Sequence, residues 1–422
     1  MEGYVNDYGI AQMGQALYKK TGEKHYKEES AYFLNRAQDY VNLFDKQAGF
    51  FQGKDAKGNW RVDSASYDPK IWGYDYTETD GWGYAFTAPQ DSRGLANLYG
   101  GQKALGDKLD QYFSTPETAS PTNAGSYGGV IHEMTEARDV RMGQYGHSNQ
   151  VAHHVTYMYD AAGEPWKAQK DVREVLSRLY TGSEIGQGYH GDEDNGEQSA
   201  WYLFSALGFY PLVMGSGEYA IGSPLFTKAT VHLENGKDLV VKAPKNSTKN
   251  IYVQGLKVNG QNWTKTSLPH SLLEKGGVLD FSMGSKPSSW GSGKNAAPVS
   301  ITKDDKVPTP RSDQLAGVGP LFDNTSATDA TVSSVDLPVA KATKGVQYTL
   351  TSSKDHTLAP TGWTLQGSAD GTTWKTLDKR SGESFTWDQQ TRVFSVKSPG
   401  SYGHYRLVLN GPSTLAEVEL LA

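Results

Sequence analysis

The chain has 422 residues, 41 basic against 47 acidic for a formal net charge of −6, and no cysteine. At roughly 100 to 200 residues per domain this length predicts two or three domains, each able to bury a core. Disulfides, thiolate metal sites and cysteine nucleophiles are excluded, and without a long basic run no nucleic-acid partner is expected.

No stretch approaches the ~18 apolar residues of a membrane span, and the opening MEGYVNDYGIAQ lacks the apolar centre of a signal peptide. The composition is rich in aromatics, with 25 Tyr and 10 Trp against an apolar fraction of 37%. Aromatic faces stack on the C–H faces of sugars while polar neighbours bond the hydroxyls, so the surplus favours carbohydrate as ligand.

In chain order, NDYGIAQMGQALYKKTG carries Ile10, Met13 and Leu17 at helical spacing and stops at Gly22. KEESAYFLNRAQDYVNLFD places Phe33, Ala37, Tyr40 and Phe44 on one face. Further helices are predicted over GGQKALGDKLDQYF, over Val151 to Ala162, and over EPWKAQKDVREVLSRLY, with Pro165 in its first turn and Gly182 past its end. The last, EQSAWYLFSALGFYP, ends at Gly208 before Pro211. Between them run long aromatic loops, Gly49 to Pro89 and Ser114 to Ser148, of a length that usually serves function. Helical hairpins with such loops predict a toroid of helices open at one end.

After Leu212 the pattern alternates with period two. ATVHLEN, DLVVKAP, NIYVQGLKVNG and VLDFSM predict an antiparallel sheet over 213–290. A linker rich in Ser, Gly, Lys and Pro follows over 291–310. From 311 to 422, VQYTLTSS, GWTLQGSAD, TWKTLDK, RVFSVKS, HYRLVLN and AEVELLA predict a β-sandwich, with Trp363 and Trp374 read as core. The fold class is therefore α+β and multidomain, with a helical 1–212 leading.

Three stretches could carry chemistry. GYHGDEDNGEQSAW sets Asp192, Glu193 and Asp194 side by side before a helix. This reads either as a polar capping loop or as carboxylates converging on a ligand, a metal or an attacking water. An EF-hand is excluded, because its fifth, sixth and twelfth places hold Gly196, Glu197 and Leu203. Glycoside hydrolysis needs an acid and a base, about 6.5 to 9.5 Å apart in an inverting enzyme, so one local cluster cannot supply both. The distant acid is expected at Glu78 in WGYDYTETDGWGYAFTAPQD, where burial among Tyr74, Tyr76, Trp82, Tyr84 and Phe86 would raise its pKa. In MGQYGHSNQVAHHVTYMYD, oxygens of Ser148, Asn149 and Gln150 suit a hard cation. Zinc fits less well, because the adjacent His153 and His154 of one helix cannot face the same ion.

Together these stretches resemble glycoside hydrolase family 92, calcium-dependent exo-α-mannosidases that invert the anomeric centre. Its E-G-N/T-x-W-x-Y segment and V-P-Q/H-D match Glu78-Thr-Asp-Gly-Trp-Gly-Tyr84 and Ala88-Pro-Gln-Asp91. Its H-G-N-E-P-S-H-H matches His147 to His154, and its G-N/D-E/D-D-x-G-Q-M-S-A-W-Y matches Gly191 to Tyr202. The resemblance runs to about Trp290 and implies part of an (α/α)6 barrel.

It further implies Glu78 as general acid and Asp194, or Asp192 beside it, as the base. Calcium is implied at Ser148, Asn149 and Gln150, and Trp82, Gln90, His153, His154 and Glu193 are implied in the substrate shell. The family's Asn-Glu pair is Asn149-Gln150 here, which removes one negative charge beside the implied calcium. The substrate class implied is a mannose-containing glycan, N-glycan or mannan, with α-1,2 linkage first. Cleavage of a mannosyl phosphate and glycan binding without turnover stand as alternatives. Family members begin with a β-sandwich and further barrel helices, so this chain is expected to be a piece of a longer extracellular or cell-surface protein, with little activity in isolation. PTGWTLQGSADGTTWKTLD, GHYRLVLN and LAEVELL resemble a galactose-binding-like, discoidin-type domain.

Overall fold

The computed structural model describes residues 1–55, 57–180 and 188–422. Helix α1 (Glu2–Thr21) stops at Gly22, whose left-handed backbone (φ +77°) returns its N–H to the Tyr18 carbonyl at 2.8 Å. Helix α2 (Lys24–Arg36) is shorter than its apolar stripe predicts, and the chain tightens into a 3₁₀ turn over Asp39–Leu43. Buried Tyr40 fixes that turn by donating its hydroxyl to Asp91 Oδ2 at 3.1 Å. A ribbon of β1 (Phe44–Asp45) and β2 (Phe50–Phe51) follows, then α3 (Gly81–Tyr84), α4 (Ser92–Tyr99) and α5 (Gln102–Ser114).

Helix α6 (His132–Val140) lies in a stretch expected to be loop; it buries Met134, Ala137 and Val140, three residues apart, between polar neighbours that mask the stripe. The single helix expected over Val151 to Ala162 is broken into α7 (Gln150–His153), a 3₁₀ turn over Val155–Tyr157, and α8 (Met158–Ala161). The rings of His153 and His154 bond the carbonyls of His147 and Phe86, at 3.0 and 2.9 Å, which holds this break in place. Helix α9 (Pro165–Arg178) has Pro165 in its first turn, while the expected stop at Gly182 lies outside the described residues. Helix α10 (Glu197–Leu207) is closed by Gly208 at φ +94°.

Strands β3 (Phe209–Tyr210), β4 (Glu218–Ile221), β5 (Lys228–His232), β6 (Asp238–Lys242), β7 (Tyr252–Val258), β8 (Gln261–Trp263) and β9 (Ser267–Pro269) come next, then α11 (His270–Leu273) and β10 (Gly277–Gly284). They form a three-stranded sheet, β3-β4-β9, and a five-stranded one, β5-β6-β10-β7-β8. The second is not purely antiparallel, because β10 enters between β6 and β7 and runs parallel to β6, with Val278 opposite Val240. Alternation encodes which face is apolar, not strand direction, so the sequence could not show this. Leu239, Val241, Leu256, Leu279 and Phe281 fill its core, each worth about 1.5–3 kcal/mol on burial.

By contacts, residues 1–9 and 37–308 form one compact unit, and residues 10–36 with 309–422 form another. The sequence placed all of 1–212 in one helical body. Residues 10–36 group otherwise because Glu28 is clasped by both terminal nitrogens of Arg380, at 2.7 and 3.1 Å, and by the Ser395 N–H at 2.9 Å. Gly14 lets α1 and α2 close on each other, since a Cβ there would lie 3.0 Å from the Tyr26 carbonyl oxygen.

The second unit continues with β11 (Ala330–Leu337), β12 (Thr343–Lys344), β13 (Gln347–Ser352), β14 (Gly362–Ser368), β15 (Lys375–Ser381), β16 (Thr391–Ser395), β17 (Ser401–Tyr402) and β18 (His404–Leu421). HYRLVLN and AEVELLA, expected as two strands, are the two ends of β18. The first half of β18 pairs with β14 and its second half with β13, while β11 pairs with both, Ala330–Val332 against Ser413–Leu415 and Ser334–Leu337 against Tyr405–Val408, and the register shift between Val332 and Ser334 absorbs the Gly411-Pro412 interruption. Trp363 is core at 2% exposure and donates Nε1–H to the Tyr348 hydroxyl at 2.7 Å, which donates to Asp378 at 2.8 Å. Trp374 is not core. It lies outside the strands, half-buried, with the Arg406 guanidinium 4.1 Å above its ring.

Candidate active site

Everything described here lies in the unit of residues 1–9 and 37–308. The site is organised by the start of α7, where Asn149 caps the helix by accepting the Val151 N–H. Asn149 Nδ2 donates to Glu78 Oε2 at 2.8 Å, and the next residue, Gln150, donates Nε2–H to Asp194 Oδ2 at 2.6 Å. Two carboxylates far apart in sequence are thus each one hydrogen bond from adjacent residues.

Backbone constraint fixes both carboxylates. Glu78 has a left-handed φ of +55°, and its N–H is bound by the Tyr127 hydroxyl at 2.6 Å. Asp194 (φ +53°), Asn195 (+58°) and Gly196 (+98°) form three successive left-handed residues entering α10. Non-glycine residues rarely hold such angles without surrounding restraint. The acidic loop is seated by Gly191, where a Cβ would fall 2.3 Å from that of Ser148.

The other predicted residues divide sharply. Asp192 is exposed, and its charge helps raise the pKa of His132, after the larger effect of the Glu136 hydrogen bond. Glu193 is a helix cap, its carboxylate accepting the backbone N–H groups of Gly196 and Ser199; the Ser199 bonds chiefly lower its pKa. Trp82 is buried at 7%, edge-on to Phe50 at 4.8 Å, and so packs in the interior. Gln90 is also internal, at 1% exposure, donating to the Ala37 carbonyl at 3.0 Å. His153 and His154 line a groove of about 330 Å³ with Gln150, Glu197, Thr87 and Tyr210. Burial pushes His154 down to about 4, so near neutrality its ring carries no charge.

The burial expected of Glu78 falls elsewhere, since Glu78 is exposed. Asp80, two residues on, is the desolvated carboxyl. It caps α3 by accepting the N–H groups of Trp82 and Gly83 at 2.9 and 3.1 Å, and burial drives its pKa well above the usual carboxylate range. Its Oδ2 has no partner among the described residues. Glu133, also raised chiefly by burial, joins Glu78, Asp80, Ser148 and Asn149 in lining a narrow cleft.

Glu197 is a further groove residue that the sequence reading passed over. Its Oε1 lies 3.0 Å from His153 Nδ1, a bond that lowers the Glu197 pKa. At the start of a helix it reads as a first-turn carboxylate, and only its proximity to a histidine far along the chain marks it as part of the groove.

The available oxygen ligands are the Ser148 hydroxyl, buried and unpartnered among the described residues, the side-chain carbonyl of Gln150, and the Asp194 carboxylate. This set is hard and all-oxygen, which suits calcium. Among the described residues no group of three or more His, Asp or Glu could hold a metal by itself, so amide and hydroxyl oxygens would have to complete the shell.

Residues 1–285 match the glycosyl hydrolase family 92 catalytic domain. A protein of Arthroderma benhamiae described as an uncharacterized secreted glycosidase is 25% identical over 325 residues, 71% of this chain and 37% of that protein. A family GH92 alpha-mannosidase from Bacteroides thetaiotaomicron superposes with a TM-score of 0.62 at 34% identity, over 72% of this chain and 37% of its own. A family GH92 inverting mannosidase from Bacteroides thetaiotaomicron VPI-5482 gives 0.60 at 41% identity, over 71% and 39%. The chain therefore spans well under half the length of each of these relatives. Among the described residues no helix is long and apolar enough to cross a membrane. With two thirds of its residues matched to the catalytic domain, the chain belongs to glycosyl hydrolase family 92.

Proposed function

We propose that the site removes terminal α-linked mannose from a glycan, N-glycan or mannan with α-1,2 linkage first, by inverting hydrolysis. The observation that carries this reading is the pair of bonds from Asn149 to Glu78 and from Gln150 to Asp194. Glu78 gives a proton to the departing glycosidic oxygen. Asp194 removes a proton from a water that attacks the anomeric carbon from the opposite face, and the products are mannose of inverted configuration and the free alcohol. Asp192, exposed in the same loop, is the second choice as base.

Ser148, Gln150 and Asp194 would hold calcium, with Asn149 beside them. When bound, the cation supplies charge to orient sugar hydroxyls and favour ring distortion. His154, neutral and tied to the Phe86 carbonyl, offers an uncharged groove wall, while the His153–Glu197 pair sets the orientation of the Glu197 carboxylate. The same reading takes 1–212 as part of an (α/α)6-type toroid, 213–290 as the β region of the catalytic module, 291–310 as linker and 311–422 as a galactose-binding-like sandwich. It also places the protein outside the cell or at its surface, in keeping with the secreted relative.

The test is proton NMR of α-1,2-mannobiose during hydrolysis, with Asp194→Asn alongside. β-Mannose appearing first, and a loss of rate of about 100-fold or more in the variant, are expected. α-Mannose appearing first, or an Asp194→Asn variant as fast as the parent, refutes the assignment.

A further inference from the structure

Of the aromatic residues flanking Glu78 in sequence, Trp72, Tyr76, Trp82, Tyr84 and Phe86 lie inside, none more than 7% exposed. Tyr74 is 58% exposed, although the sequence set it with the others around the acid. None of the chemistry above uses it.

This exposure is not that of a loose tip. Tyr74 has a left-handed φ of +57°, an outlier for a bulky side chain that persists only under restraint. Its N–H is bound by the Ser126 hydroxyl at 2.7 Å, and the loop closes on itself where the Gly73 N–H meets the Thr79 carbonyl at 3.1 Å. Over the ring stands the Arg61 guanidinium, 4.7 Å from its centroid. Arg61 is held in turn by Asp75 Oδ2 at 2.6 Å, and the same oxygen accepts the Gly53 N–H at 3.0 Å. The phenol is therefore backed on one face by a fixed cation while much of the ring remains in water.

The turn that holds Tyr74 also holds the acid. Ser126 binds the Tyr74 N–H and its neighbour Tyr127 binds the Glu78 N–H at 2.6 Å, so ring and carboxylate are pinned by consecutive residues of one 3₁₀ turn, Gly125–Tyr127. Gly73 permits the close approach, since a Cβ there would fall 2.1 Å from Ser126 Oγ and 3.0 Å from the Tyr127 ring. In an inverting glycosidase the acid lies against the departing oxygen and the base on the opposite side of the sugar. Asp194 is carried by a different loop and bonds Gln150, not this turn. A ring built onto the acid's own loop belongs to the side of the leaving group rather than to that of the attacking water.

Tyr74 offers an apolar face without a free charge, because Arg61 is already paired with Asp75. Such a face fits the C–H side of a pyranose. A small alcohol has no face to cover it, and a phosphate would find its nearest cation taken. Resting on the mannosidase reading, we propose that Tyr74 is the platform on which the departing sugar ring stacks, so that the site favours a leaving group with a ring over a small alcohol.

The test compares α-1,2-mannobiose, whose leaving group is a ring, with trifluoroethyl α-mannoside, whose leaving group is not, for the parent, Tyr74→Ala and Tyr74→Phe. In Tyr74→Ala, kcat/KM on the disaccharide should fall about five- to tenfold, chiefly through KM, while the trifluoroethyl glycoside stays within about twofold of the parent. Tyr74→Phe keeps the face and should match the parent on both. Calorimetry on the slow Asp194→Asn form makes the same comparison without turnover: α-1,2-mannobiose should bind more tightly than methyl α-mannoside, and adding Tyr74→Ala should erase the difference. Equal losses on both substrates, no loss on the disaccharide, or a Tyr74→Phe form as impaired as Tyr74→Ala overturns the platform. With β-mannose still the first product, any of these leaves the mannosidase reading standing; if the chain neither hydrolyses nor binds any of the three glycosides, both fall.

Discussion

Replacing Glu78 by Gln tests the acid assignment with little change to the scaffold. The Asn149 Nδ2–H that Glu78 Oε2 accepts at 2.8 Å finds an equivalent acceptor in the glutamine carbonyl, and the backbone bond from the Glu78 N–H to the Tyr127 hydroxyl does not involve the side chain. What is removed is the transferable proton. General acid catalysis contributes about 10²–10⁴-fold, equivalent to about 3–5 kcal/mol at roughly 1.4 kcal/mol per decade. That loss is expected in kcat/KM for α-1,2-mannobiose, whose alcohol leaving group needs protonation. A dinitrophenyl α-mannoside, whose leaving group departs unaided, should lose less than about tenfold. The assay is steady-state hydrolysis of both substrates by parent and variant, with melting temperature as the control for folding. Equal losses on both substrates would refute the reasoning, as would an undiminished rate on the disaccharide, which would move the acid to another carboxyl such as Asp80.

Gln150→Glu sets a second carboxylate against Asp194 in place of the 2.6 Å N–H···O bond, so in chelator the melting temperature should fall, by an energy of about 1–2 kcal/mol for two exposed groups, and calcium should raise it more than in the parent. Scanning calorimetry with and without calcium reads both effects. His147 and His154 are held neutral by burial, well below and at about 4 respectively, against an ordinary value near 6.5. The two rings therefore take up protons only in the unfolded chain and lower stability as pH falls from about 6.5 toward 4, while Asp80, Asp160 and Asp171, raised by burial, take up protons preferentially in the folded chain and oppose that fall. His154→Gln should accordingly shift the urea midpoint upward relative to the parent by more at about pH 4.5 than at about pH 7.5, and an equal shift at both would refute this. Glu28→Ala removes three hydrogen bonds from the clasp on Arg380 and Ser395, so denaturant unfolding followed through buried Trp363 should show a loss of about 2–4 kcal/mol.

The sequence carried the helices best where caps were explicit, as at Gly22, Pro165 and Gly208. It lost α6, because Met134, Ala137 and Val140 are embedded in charge. The parallel pairing of β10 with β6 was invisible for a different reason, since direction is set by the path through β7, β8, β9 and α11. At the site, motif order named Glu78, Asn149, Gln150 and Asp194, which the fold brings within hydrogen-bonding reach in pairs. Trp82, Gln90 and Glu193, which the resemblance set in the substrate shell, are engaged here in packing, an internal amide bond and a helix cap. The motifs missed Asp80, Glu133 and Glu197, because burial and long-range partners are properties of the folded chain.

Strand β18 also orders events in time. It follows in sequence all of its partners, β11, β13 and β14, and the Arg380 that clasps Glu28 is 352 residues downstream of it. During synthesis, helix α2 must therefore wait through most of the chain for its clasp, and the core around Tyr348 and Leu407 cannot close until β18 emerges. Such distant closures are slow and leave apolar surface uncovered meanwhile. Completion of the second unit is accordingly a late step, gated by the last strand of its sheet.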